Sequence, residues 1–224
     1  MAELFDLYER ALRTGKVKGG SVRISGAGRV SGGTYESVTI SGSAIVDGDV
    51  EAETVRVAGS TSFRGSVRAG EISISGSAKV EGSVKGGLLK ASGSLSVKDV
   101  IECEEAWAAG SLRARSLKGK IVRLAGAFKI EDELDAQLVE LKLSNDSSCR
   151  ALRGEEVSIE RSGGAFRMFL RFTRRHPTLK VELLESKLVR ARDVVIEGRI
   201  KADRVELYGE AAVAGVVEGE VVKL

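Results

Sequence analysis

From Val22 onward the chain alternates apolar and polar residues in short runs, and each run ends on a glycine. The pairs Val22/Ile24, Val38/Ile40, Val55/Val57, Ile72/Ile74, Leu89/Ala91, Ala106/Ala108 and Val122/Leu124 precede Gly26, Gly42, Gly59, Gly76, Gly93, Gly110 and Gly126. A period of two marks a half-buried strand, and a glycine at its end marks a turn. Successive glycines stand 16 or 17 residues apart, so one backbone event recurs at a fixed interval. A corner with positive φ is costly for any residue with a Cβ, and asparagine is a common exception among non-glycine residues. Asn145, the only asparagine, follows Leu141 and Leu143, and we read it as the next corner.

A second alternating pair follows each glycine: Ala44/Val46, Thr61/Phe63, Ala78/Val80, Leu95/Val97, Leu112/Ala114 and Phe128/Ile130. A third apolar position recurs at Val50, Val67, Val84, Ile101, Leu117 and Leu134. Between the second and third sets lies another corner, glycine at Gly32, Gly48, Gly65 and Gly82, then Asp99, Ser116 and Asp132. The pattern predicts three short strands per repeat of about 17 residues, stacked rung on rung as an all-β parallel β-helix, a solenoid. The usual hand of crossovers between parallel strands makes it right-handed. Burying each inward Val or Ile is worth roughly 1.5–3 kcal/mol, and a rung buries its face only against a neighbour, so stability is cooperative between rungs.

The repeat fails in two places. Residues 3–13 set Leu4, Tyr8, Ala11 and Leu12 on one face at helical spacing, stopped by Gly15. This predicts a short amphipathic helix over residues 1–14, either a cap on the first rung or a foot on a membrane surface, ahead of one solenoid domain at 15–224. After Ile159 the corner slot holds Arg161, and residues 163–184 form a basic and aromatic stretch that reads as a β-hairpin or an enlarged rung. From Val189 the motif resumes, with Gly198 and Gly209 only 11 apart, which means a short rung or a slipped register.

Composition narrows the chemistry. Aromatic residues are 4% and hydrophobic residues 42%, so the core is aliphatic. The net charge of +3 from 35 basic and 32 acidic residues gives no global argument for nucleic acid, which is disfavoured as a partner. The start carries Glu3, Asp6 and Glu9, unlike the apolar stretch of a signal peptide, and two cysteines, Cys103 and Cys149, make no disulfide framework. One Asn and one Gln beside abundant Glu, Lys and Arg suggest a protein that works hot. The single histidine, His176, is too few for a three-histidine zinc shell, and no H-E-x-x-H, CxxC, G-x-x-x-x-G-K or G-x-G-x-x-G is present. The acidic groups Glu102, Glu104, Glu105 and Glu131, Asp132, Glu133, Asp135 read as solvated faces rather than as a glycosidase pair. We therefore expect a non-enzymatic protein with no cofactor, no metal and no small-molecule substrate.

Two candidate surfaces remain. In the 163–184 stretch, Arg167, Arg171, Arg174, Arg175, His176 and Lys180 are interleaved with Phe166 and Phe169, a composition suited to a protein partner or an anionic surface. At the other candidate, a parallel solenoid ends on a strand edge that lacks a partner. The last residues are apolar, and Val213, Val216, Val217, Val221, Val222 and Leu224 are expected to mediate self-association, tail to tail or head to tail.

The run Gly48-Asp-Val-Glu-Ala-Glu-Thr-Val-Arg-Val-Ala-Gly59 recurs from Gly65 to Gly76 and from Gly82 to Gly93. In this motif the chain resembles the bactofilins, polymer-forming cytoskeletal proteins built on a right-handed β-helix. The resemblance implies a cytoplasmic scaffold that joins end to end without nucleotide, often at the inner face of the membrane. The length of the solenoid and the 163–184 stretch depart from that pattern. The rival reading is an adaptor that displays the basic stretch to a partner.

Overall fold

The computed structural model describes residues 19–163 and 176–224. These form an all-β parallel solenoid of about 10 rungs with no helix among them. Nine strands follow one another in a single sheet ordered as in the chain: β1 (Ser21–Phe63), β2 (Val67–Val80), β3 (Val84–Val97), β4 (Val100–Ala114), β5 (Ser116–Leu143), β6 (Ser147–Arg161), β7 (Thr178–Arg192), β8 (Val195–Tyr208) and β9 (Ala212–Lys223). Every neighbouring pair is parallel. The expected helix at 1–14 lies outside the described residues.

The three expected short strands per rung are instead joined through the glycine corner. Pairing runs unbroken across it, with Gly59 abreast of Gly76 and Ser60 abreast of Ser77. The reason is local: Gly26, Gly42, Gly59, Gly76, Gly93, Gly110 and Gly126 all take φ between 115° and 149°, a bend that keeps the inter-rung hydrogen bonds. A Cβ on Gly110 would enter the carbonyl oxygen of Gly93 directly beneath it, so glycine is required by contact as well as by φ.

The second corner is where strands break, and side chains satisfy the backbone there. The Ser66 amide donates to Asp49 Oδ1 at 2.7 Å and the Ser83 amide to Ser66 Oγ at 3.2 Å. Ser83 Oγ then donates to Asp99 Oδ2 at 3.3 Å. Asp49 and Ser66, each one residue past its corner glycine, cap the rung above, while Asp99, in the glycine slot itself, accepts from Ser83 of the rung below.

The inward columns are those expected. Val50, Val67, Val84, Ile101, Leu117 and Leu134 are all buried, as are the columns through Val55 and Phe63, and they form one continuous aliphatic core. Outward, a column of alternating charge runs through Lys85, Glu102 and Lys118, then Asp135, Arg153, Glu185, Lys201 and Glu218. Lys85 Nζ meets Glu102 at 2.7 Å, and Arg153 bridges Glu133 to Glu185, the latter at 3.0 Å.

One reading of register needs correction, and of the two alternatives between Gly198 and Gly209 the slipped register holds. Asn145 is not the corner after Gly126. The Ser144 amide donates to the Gly126 carbonyl at 3.1 Å, which sets Leu143 abreast of Gly126, and Leu143 is itself buried. Asn145 sits in the turn just beyond, with no positive φ, because extra residues there shift the pairing from 17 to 19, as in Ile130 with Cys149. Nor is a rung short between Gly198 and Gly209. Gly198 lies abreast of Gly215, whereas Gly209 follows the Arg192–Tyr208 pair and faces Asp193. They are different corners of one rung.

Candidate association surface

The inward columns can be followed to the last strand. Ile196, Ile200 and Val205 of β8 are fully buried, and Val213, Val217 and Val221 of β9 stand abreast of them. Val213 and Val217 pack partly on the core, while Val221 is 49% exposed. Val216 and Val222 lie abreast of Arg199 and Glu206 on outward columns. Leu224 is exposed, and its amide donates to the Leu207 carbonyl at 2.8 Å. Of the six residues expected at this end, three therefore continue the core. A fourth inward position escaped the sequence reading: Lys223 lies abreast of Leu207, so one core column ends in an ammonium group. The run Val221-Val222-Lys223-Leu224 hides this, since two adjacent valines do not reveal which one faces inward. Among the described residues β9 pairs with β8 alone, and its other edge keeps its backbone N–H and C=O groups free for a further strand.

At the other candidate, Phe166, Arg167, Phe169, Arg171, Arg174 and Arg175 lie outside the described residues. The flanks do not. Thr178–Leu184, expected within the excursion, belong to β7, where Leu179, Val181 and Leu184 are buried core. β7 pairs with β6 at a separation of 32, as in Ser147 with Leu179, so the solenoid resumes in register after roughly one rung's worth of extra chain. The Thr178 amide donates to Asp146 Oδ1 at 3.0 Å and fixes this return. His176 and Lys180 do not share a cluster. His176 Nε2 lies 2.7 Å from Glu210 Oε2 and its Nδ1 lies 3.1 Å from the Asp193 carbonyl, which ties it to the turn before β9. Lys180 is exposed and reaches Glu197 at 3.5 Å.

Buried titratable groups are few. Burial pushes the Cys103 and Cys149 thiols up to about 12, so both stay protonated and unreactive. Glu206 is held below the usual carboxylate range by the Tyr208 hydroxyl hydrogen bond and by Arg190 and Arg204. Among the described residues no group of three or more His, Cys, Asp or Glu is placed to hold a metal, and no helix is long and apolar enough to cross a membrane. One exposed aromatic was missed: Trp107, 42% exposed on β4. Aligning the rungs finds it, since its outward slot otherwise holds Arg56, Ser73, Lys90 and Arg123.

Residues 9–98 match the model of the bactofilin family, described as polymer-forming cytoskeletal. Over these residues the chain is similar to the bactofilins. No curated protein and no solved structure matches it. The matched segment covers the rungs with glycine corners as far as Lys98, and the rungs from β4 to β9 continue its columns beyond the match. The match over residues 9–98 and the β-solenoid fold support a cytoskeletal, polymer-forming scaffold.

Proposed function

We propose that the protein is a structural subunit that self-associates through the β9 end of its solenoid, without nucleotide. One observation carries this reading. Three core columns that are fully buried at β8 pass to Val213, Val217 and Val221 on a strand with one unpaired edge. Covering them with a rung from a second copy buries apolar surface at about 25 cal/mol per Å² and pairs the open edge. The chain has no P-loop to couple assembly to a nucleotide.

Electron microscopy and analytical ultracentrifugation of the purified protein without nucleotide test this. Filaments or end-joined oligomers are expected, and Val221→Asp is expected to shift them to monomer by placing a carboxylate in a core column. Lys223→Leu should tighten association, because a stacked rung then covers a leucine instead of an ammonium group. A protein that stays monomeric at high concentration, with Val221→Asp making no difference, would sink the reading.

A further inference from the structure

Trp107 is the only tryptophan of the chain, and it projects from an outward column in the middle of the solenoid. Lys90, one rung before, lies over the ring with Nζ 5.8 Å from its centroid, and Arg123, one rung after, lies 5.1 Å from it. Cations from both neighbouring rungs cover the ring, so it presents its edge to solvent and offers no open face for a sugar or base to stack on. Beside it a groove of about 500 Å³ runs along the solenoid axis over Ser75, Ser92, Ala109 and Ala125, as far as Lys142.

The charges of this groove are unevenly matched. Arg123 is neutralised by Glu140 at 2.9 Å. Lys90 and Lys142 make no ion pair among the described residues. They stand three rungs apart, on the order of 14 Å at one strand spacing per rung. Between them lies an apolar floor with a tryptophan edge as its wall.

We propose that this groove binds an extended acidic peptide segment of a partner protein, lying along the axis with carboxylates at Lys90 and Lys142 and small apolar side chains against Trp107. The backbone groups of β2–β5 are committed to the inter-rung ladder on both sides, so recognition is by side chains and not by strand addition. A broad anionic surface fits less well than a thread. Glu105 stands in the adjacent outward column and would be pressed against such a surface, whereas a single chain in the groove avoids it. Tryptophan, here flanked by Arg123, is among the residues that most often dominate binding at the centre of a contact.

Trp107 is also the reporter. The full-length protein is titrated at low salt with an acetylated peptide of alternating Glu and Ala, and with the same peptide carrying Gln in place of Glu. A saturable change in tryptophan emission with the Glu peptide alone is expected, weakened at least tenfold in the Lys90→Ala/Lys142→Ala variant and by molar salt. Both lysines are outward-facing, so circular dichroism of the variant should match the parent. The proposal falls if millimolar Glu peptide leaves the emission unchanged, if the Gln peptide acts equally, or if the double variant binds as well as the parent. It also falls if vesicles of anionic phosphatidylglycerol change the emission and the peptide does not.

Discussion

The rungs up to Gly126 and the rungs after Leu143 bury the same inward columns around different corners. In the first region every corner of the ladder is a glycine with positive φ. In the second, the equivalent slot passes to Leu143 and Arg161, then to Asp193, whose φ is 53°, before glycine returns at Gly209. Core burial does not suffer: Leu152, Val157, Leu184 and Val189 are as completely enclosed as Ile101 and Leu117. The register of the solenoid is therefore held by the inward columns, and glycine is a local condition of close approach between rungs.

The largest test of that contrast compares two corners. Gly110→Ala places a Cβ against the Gly93 carbonyl at φ 123° and should cost several kcal/mol, roughly the 1–3 of a strained backbone plus the clash. Asp193→Asn keeps a residue that tolerates positive φ, with a side-chain oxygen for the Glu210 amide now at 2.9 Å, and should cost less than about 0.5 kcal/mol. Urea unfolding of the two variants measures both, and equal losses would erase the distinction.

A smaller effect uses the thiols, one in each region. Both are raised from 9.0 to about 12 by burial, so the folded state holds its protons where the unfolded state has lost them. Stability is then unchanged below about pH 8 and falls as pH rises from about 9 toward 12, by up to about 1.4 kcal/mol per pH unit for each thiol. Cys103→Ser and Cys149→Ser should each remove about half of that slope in chemical denaturation between pH 8 and 10.5. A slope carried by one cysteine alone would show that the two regions differ in dryness as well as in corners.

The smallest expected effect concerns the excursion. Replacing residues 162–177 by a two-residue link, so that Arg161 leads into β7 as Leu143 leads into β6, joins strands that already pair in register, so the melting temperature should move by only a few degrees. A large loss would mean that the excursion supports the core.

Much of this was legible in the sequence, because the inward columns repeat and repetition exposes register. The errors fell where one residue type suggested its own explanation. Asn145 has the right chemistry for a glycine slot, yet the slot went to Leu143, since a buried leucine at a widened turn satisfies the column better than an asparagine satisfies a bend. Leu179 and Val181 alternate like a hairpin strand, and only their partners Ser147 and Cys149 on β6 reveal them as core. At the association surface, alternation named the apolar residues but not which of them face inward. Trp107 went unnoticed because one aromatic in an outward slot leaves no periodic trace.

The alternating outward column does something the core cannot. Every inward column is apolar at almost every rung, so a chain that skipped one rung while folding would still bury valine on leucine. The charged column would not forgive the skip: Arg153 would lie against Lys118, and Glu185 against Asp135. A skip of two rungs would restore opposite signs. From Lys85 to Glu218 the solenoid thus carries, on its surface, a count of its rungs modulo two; the count does not reach back past Lys85, which stands abreast of Arg68.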